Sequence, residues 1–386
     1  MLHAFRDARI AACSLGILVL PALVQTRAGA DPARVAARIA AALRPSSGEI
    51  VVLRAGEADD WALAQAAAAA LARAGADVRT VTSATPIIRA AEVHRGARAF
   101  VSLAVDPAVA DAERIELPPW LHANDARHLS LDWRDGTRTV DGLRADGADQ
   151  LDALHAAGLD EAPEDIDRRL TRAAALLRSG DVRIRTAHGT SLRFSAGRRP
   201  FVHEDGDASA PKAARSAVPA ERIVHLPAGA LRLAPIETSI SGRLELPDAR
   251  FETLRATNLR LFFVRGRALE LQCCTDRQPP LDGAAAAPLG AFATRYFEGV
   301  PLGEVTLGLN GRLRRPEGDA RIPFHGFGAG MVRICVGDNE ALGGLVRGVD
   351  GGPIRCFHLP DATVEAAGRV LVRDGSLTAD LQHGGA

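Results

Sequence analysis

The chain has 386 residues, with 47 lysines and arginines against 47 aspartates and glutamates, so its formal net charge at neutral pH is zero. That length exceeds one ordinary hydrophobic core and points to two domains, while the even charge balance argues against both a nucleic-acid partner and an acidic disordered chain. A single tyrosine and three tryptophans leave little surface for stacking bases.

The first thirty residues stand apart. His3, Arg6 and Arg9 precede an apolar run from Ile10 to Val24, and Ala28-Gly29-Ala30 has the small-x-small form of a signal-peptidase site. The run is too short to span a bilayer comfortably. Residues 1–30 therefore read as an export signal without a stable transmembrane anchor, the alternative being a cytoplasmic chain with an N-terminal extension. Cleavage would leave Cys273, Cys274, Cys335 and Cys356, an even number that permits disulfides. With no C-x-x-C pair among them, four unpaired thiols are the simpler expectation.

Residues 31–180 read as an α/β domain. Asp31 can cap a helix with Pro32 at its first position, and Val35, Ile39 and Leu43 fall on one face. Glu49 to Leu53 reads as a buried strand, Trp61 to Ala74 as a helix closed by Gly75, and Asp77 to Val81 as the next strand. Arg98 to Leu103 and Arg127 to Leu131 add further strands, which implies a largely parallel sheet. No helix is opened by a Gly-rich phosphate-binding sequence.

After a helix from about Glu164 to Leu177, the pattern changes. Asp181 to Thr186 and Leu192 to Ala196 flank Gly189-Thr190 as a hairpin, and short apolar segments recur to the end. Residues 181–386 are expected to form a curled, mainly antiparallel β domain, with 223–226 among its strands. The small polar stretch from Glu204 to Ala217 reads as a surface loop, and Pro279 to Pro288 as a second. Within Pro227 to Gly242, Glu237 is a single carboxylate in an otherwise apolar and small-residue run ending in a turn at Gly242, and it needs a partner.

Several motifs occur in an order that resembles the thermophilic metallo-aminopeptidase family, aminopeptidases T and S, with 2,5-dihydroxypyridine dioxygenase as a broader relative. They are the Gly189-Thr190-Ser191-Leu192 turn, Pro227-Ala228-Gly229, Ala234-Pro235-Ile236-Glu237-Thr238-Ser239, Leu302-Gly303-Glu304-Val305 and the closing Asp374-Gly375 hairpin. The resemblance implies a two-metal hydrolase whose ligands would be two glutamates, a histidine in a Gly-Thr-x-His-x-x-x-Gly strand and a later His-x-Asp. Glu237 and Glu304 take the glutamate positions. The histidine strand corresponds to Gly330 through Gly337 with Arg333 at the ligand position, and the His-x-Asp position reads Arg355-Cys356-Phe357. Arginine offers no lone pair and phenylalanine cannot coordinate.

The resulting expectation is a binding cleft bounded by Glu237, Glu304, Arg333 and Arg355, with no cofactor and no active metallo-aminopeptidase. The chain would then be a peptide-binding or partner subunit, as a homodimer or in a heteromer. The alternative is an aminopeptidase or ring-cleaving dioxygenase that binds divalent Zn, Co, Mn or Fe through relocated ligands, Glu237, Glu304, His325, His358 and Asp361.

Overall fold

The computed structural model of the protein describes residues 31–56, 61–103, 105, 107–131, 148–251, 254–274, 299–313, 327–347 and 354–382. The leader-like residues 1–30, the Pro279 to Pro288 stretch and His325 lie outside them. Asp31 caps α1 (Pro32–Leu43), accepting from the Ala33 N–H at 3.0 Å. Strands and helices then alternate: β1 (Ile50–Ala55), α2 (Trp61–Arg73), β2 (Asp77–Thr82), α3 (Ile87–Val93), β3 (Ala99–Ser102), α4 (Pro107–Ala123) and β4 (Arg127–Ser130). Two helices, α5 (Ala148–Leu159) and α6 (Pro163–Arg178), lead to the hairpin β5 (Val182–Arg185) and β6 (Ser191–Phe194), followed by β7 (Val202–Glu204), α7 (Ala210–Ala213), β8 (Ile223–His225) and β9 (Ala230–Leu233). The remaining elements are β10 (Ser241–Phe251), β11 (Leu254–Val264), β12 (Arg267–Cys274), β13 (Leu302–Gly308), β14 (Val332–Val336), β15 (Arg355–Leu359), β16 (Thr363–Ala366), β17 (Arg369–Arg373), β18 (Ser376–Leu377) and α8 (Ala379–Gln382).

These strands form three sheets. A parallel sheet runs β2-β1-β3-β4-β8, an eight-stranded sheet runs β12-β11-β10-β6-β5-β16-β17-β18, and a five-stranded sheet runs β15-β14-β13-β9-β7. The expected α/β region followed by a β-rich region is therefore present. Ile223–His225, read from the sequence among the later β segments, instead pairs parallel with β4 as the fifth strand of the first sheet. The reason is local. At three residues it carries no period that distinguishes the two settings.

The second and third sheets bury apolar faces against each other. Val182, Ile184, Phe194 and Val364 from one meet Leu233, Val305, Leu307 and Val332 from the other, and Leu177 of α6 joins them around a small core cavity. Each such aliphatic or aromatic side chain contributes roughly 1.5–3 kcal/mol by leaving water. The stretch from Glu204 to Ala217 is packed rather than a free surface loop: Glu204 ends β7 fully buried, Ser209 caps α7, and the Ala208 N–H donates to the Ala42 carbonyl of α1. Gly242 does not turn the chain. It is the second residue of β10 at φ +115°, where a Cβ would stand 2.1 Å from the Ser191 carbonyl oxygen.

Candidate functional site

Strand alternation divides the five-stranded sheet into an apolar face and a polar one. Leu231, Leu233, Val305, Leu307, Val332 and Ile334 form the core side. On the other side Arg232, Thr306 and Arg333 are register partners across β9, β13 and β14, and His358 of β15 continues the row opposite Arg333. Glu304, two residues before Thr306, shares that face. Glu204 extends it on β7, opposite Ala230.

Arg232 lies between two carboxylates. Its Nε and Nη2 donate to Glu304 at 3.0 and 3.1 Å, and its Nη1 donates to Glu204 at 2.9 Å. Glu304 also accepts from Arg333 Nη2 at 2.6 Å and from the Thr306 hydroxyl at 2.5 Å. Burial would raise the Glu304 pKa, but Arg232 and Arg333 outweigh it and hold the carboxyl well below the usual range. In the same way burial would lower Arg232, and Glu304 with Glu204 raises it instead.

His225, at the end of β8, connects this cluster to the parallel sheet. Its ring Nδ1 is 3.1 Å from Glu204 Oε1, and its backbone N–H donates to Oε2 at 3.2 Å. An ionised carboxylate only accepts, which assigns the proton to Nδ1. Burial alone would raise Glu204, yet His225 and Arg232 depress its pKa to about 2. Phe327 stands beside both side chains, its ring 5.7 Å from the His225 ring and 5.8 Å from the Arg333 guanidinium carbon. Within the parallel sheet a polar row, Arg54, Ser102, Ser130 and His225, follows the register of β1, β3, β4 and β8 toward the same place. Arg54 in that row donates to Ser102 at 3.0 Å and to Glu113 at 2.8 Å, all three side chains being buried.

The four residues expected to line one cleft separate into different environments. Glu304 and Arg333 are paired. Glu237 lies in a short 3-10 turn (Glu237–Ser239) and has its own partners: Arg199 through both oxygens, Asn339 Nδ2 at 3.0 Å and the Leu345 N–H at 2.8 Å. Burial would raise its pKa, and Arg199 with the Leu345 N–H brings it down to about 2. Arg355 begins β15 opposite Val336, on the parity of Phe357 and Leu359, so it falls on the other face of the sheet from Arg333. Of the alternative ligands, His358 neighbours Arg333, Asp361 lies 3.8 Å from His188, and His325 is outside the described residues. Among the described residues no group of three or more His, Cys, Asp or Glu side chains could hold a metal ion.

Sequence reasoning missed Arg232, Arg199, Glu204 and His225. Arg232 left a readable signal, a single charge between Leu231 and Leu233 in an apolar strand, but its two carboxylates come from β7 and β13. The expectation of four unpaired thiols also needs correction, because Cys335 and Cys356 are register partners on β14 and β15 and form a disulfide. A 21-residue separation gives no hint of that pairing, which the strand register alone creates.

The chain is similar in structure to 2,5-dihydroxypyridine dioxygenase from Pseudomonas putida, with a TM-score of 0.59 and 15% identity over 91% of this chain and 98% of that one. It is also similar to wild-type AmpT from Thermus thermophilus, with a TM-score of 0.43 and 16% identity over 90% of this chain and 99% of that one. At such identity the first likeness is one of fold, and it runs over nearly the whole chain. Comparison with protein-family models and with curated sequences gave no match.

Proposed function

We propose that this chain is a noncatalytic, aminopeptidase-like binding protein that holds a peptide or serves a peptide-processing or biosynthetic enzyme as a partner subunit, with Glu–Arg pairs in place of a metal centre. The observation that carries this reading is the occupancy of Glu304. Both of its oxygens accept from guanidinium groups, Arg232 on both and Arg333 on one. A divalent cation there would have to displace those donors and then sit against two fixed positive charges, so the donor set does not suit a metal. Glu237 supports the reading in the same way, since Arg199 already neutralises it.

The competing reading, a metal-dependent aminopeptidase or ring-cleaving dioxygenase using Zn, Co, Mn or Fe, draws on the fold likeness to the dioxygenase. The two are separated by assaying chelator-treated protein for peptide binding, then adding each metal and following aminoacyl anilide hydrolysis. Binding without metal and no hydrolysis with it is the expected result. Metal-dependent turnover abolished by Glu304→Gln would contradict the proposal.

Export forms part of the same proposal. The Cys335–Cys356 disulfide supports it, because such bonds persist in oxidising compartments. Among the described residues no helix is long and apolar enough to cross a membrane.

A further inference from the structure

The eight-stranded sheet has a second face. Val182, Ile184, Leu192, Phe194, Leu244 and Leu261 turn inward, so strand alternation puts Arg183 and Arg185 of β5, Arg193 of β6, Arg243 of β10 and Arg260 of β11 on the outer side. This face is layered by sign. The Arg185, Arg193, Arg243 and Arg260 side chains are 48–57% exposed, whereas Glu365 and Glu245, which pair with three of them, are 25% and 14% exposed. Arg193 pairs with Asp181 just before β5, and Arg183 has no ion-pair partner among the described residues. Five arginines thus stand against three carboxylates, two of which lie deeper than the guanidinium groups they hold. Arg183 and Arg193 are also register partners, and like charges directly opposite one another weaken a strand pair. Folding gains nothing from that pair, whereas an external anion relieves it. The end of the neighbouring hairpin adds an apolar margin. Val264, on the same side of β11 as Arg260, is 52% exposed, and Leu269 of β12 is 61% exposed, with the exposed Arg265 and Arg267 between them in the chain.

We infer that this outer face docks the protein onto an anionic lipid surface, the arginines meeting headgroup phosphates and the β11–β12 end entering the apolar boundary beneath. Lipid headgroups move laterally and can gather under arginines spread over four strands, and the layer below them accepts valine and leucine. An acidic protein would have to hold its carboxylates in register with all four strands. A nucleic acid fits less well still, since Phe262 is the one aromatic side chain described on this face and it is half-buried. The inference does not depend on how Glu304 is occupied.

The test is flotation of the full chain with vesicles of phosphatidylcholine alone and of phosphatidylcholine with equimolar phosphatidylglycerol. Binding to the anionic vesicles is expected to be at least about tenfold tighter, and to fall away as salt rises from about 0.1 M to about 1 M and screens the charges. The triple variant Arg183→Gln, Arg185→Gln, Arg243→Gln should lose that preference while keeping a melting temperature near that of the wild type, because all three side chains are exposed. Removing the same charge elsewhere, by Arg73→Gln, Arg89→Gln and Arg95→Gln in the α/β region, should leave the preference unchanged. Equal binding to the two vesicle types, absence of binding, persistence of the preference in the first variant, or an equal loss in the second would overturn the inference. So would binding of duplex DNA or poly-glutamate that is tighter than that of the anionic vesicles and lost in the first variant, which would assign the face to a nucleic acid or to an acidic protein.

Discussion

At the scale of single residues, the cluster behaves as a set of coupled charges. Removing one partner of a buried ion pair leaves the other stranded, so Arg333→Met and Glu304→Gln should each destabilise the fold, on the order of 3–5 kcal/mol. The double variant should lose clearly less than the sum, and urea unfolding of all four proteins measures that coupling directly. Acid tests the deeper carboxylate. Glu204 titrates near 4.5 when unfolded and near 2 when folded, so its stabilisation is fully present above pH 4.5 and is lost as pH falls through about 2. Unfolding measured between pH 5 and pH 2 should therefore show a steeper loss in the wild type than in Glu204→Gln. Glu304 and Arg333 were legible at this scale as members of one expected cleft, through the resemblance that aligned them. Arg232 was not, because its meaning depends on which strands flank β9.

At the scale of elements, two ties hold the site's strands in place. The disulfide joins β14 to the edge strand β15 at the residue register-paired with Glu304. Reducing it, or replacing both cysteines by alanine, should lower stability by roughly 3 kcal/mol as judged by denaturant unfolding. The second tie is Asn310, which is completely buried just after β13. Its Nδ2 donates to the carbonyls of Gly158 and Ala228, and its Oδ1 accepts from the N–H groups of Arg312 and Leu313. It thereby joins the end of α5 to the turn before β9. Asn310→Leu keeps volume but leaves two carbonyls and two N–H groups without their partner, so a loss of several kcal/mol is expected, since each unsatisfied buried group costs about 1–3 kcal/mol. Most strands and the helices α1, α2 and α6 could be placed from period and punctuation, whereas α4 and α5 were not read. The disulfide could not, since pairing between β14 and β15 is a long-range fact. Ile223–His225 was misplaced for a similar reason, as only its partner strand identifies its sheet.

At the scale of the whole molecule, a parallel α/β sheet and a pair of packed antiparallel sheets share one apolar core. His225 adds a polar link between them, being the last residue of β8 in the first sheet and a partner of Glu204 in the third. That arrangement places the Glu204–Arg232–Glu304 cluster beside the C-terminal end of β8, and the C-terminal ends of parallel strands are where ligands commonly bind in α/β folds. It also explains why the sequence could suggest a cleft without assembling it: Glu304 and Arg333 come together through neighbouring strands, whereas Glu237 pairs with Arg199 in a short turn and strand parity puts Arg355 on the other face of the sheet. The account depends most on Glu304 being occupied by arginine rather than metal. Elemental analysis of purified chain, followed by titration with zinc, cobalt, manganese and iron, measures this directly. The expected result is no stoichiometric metal and no tight binding on addition. One equivalent retained per chain through dialysis, and lost in Glu304→Gln, would contradict it.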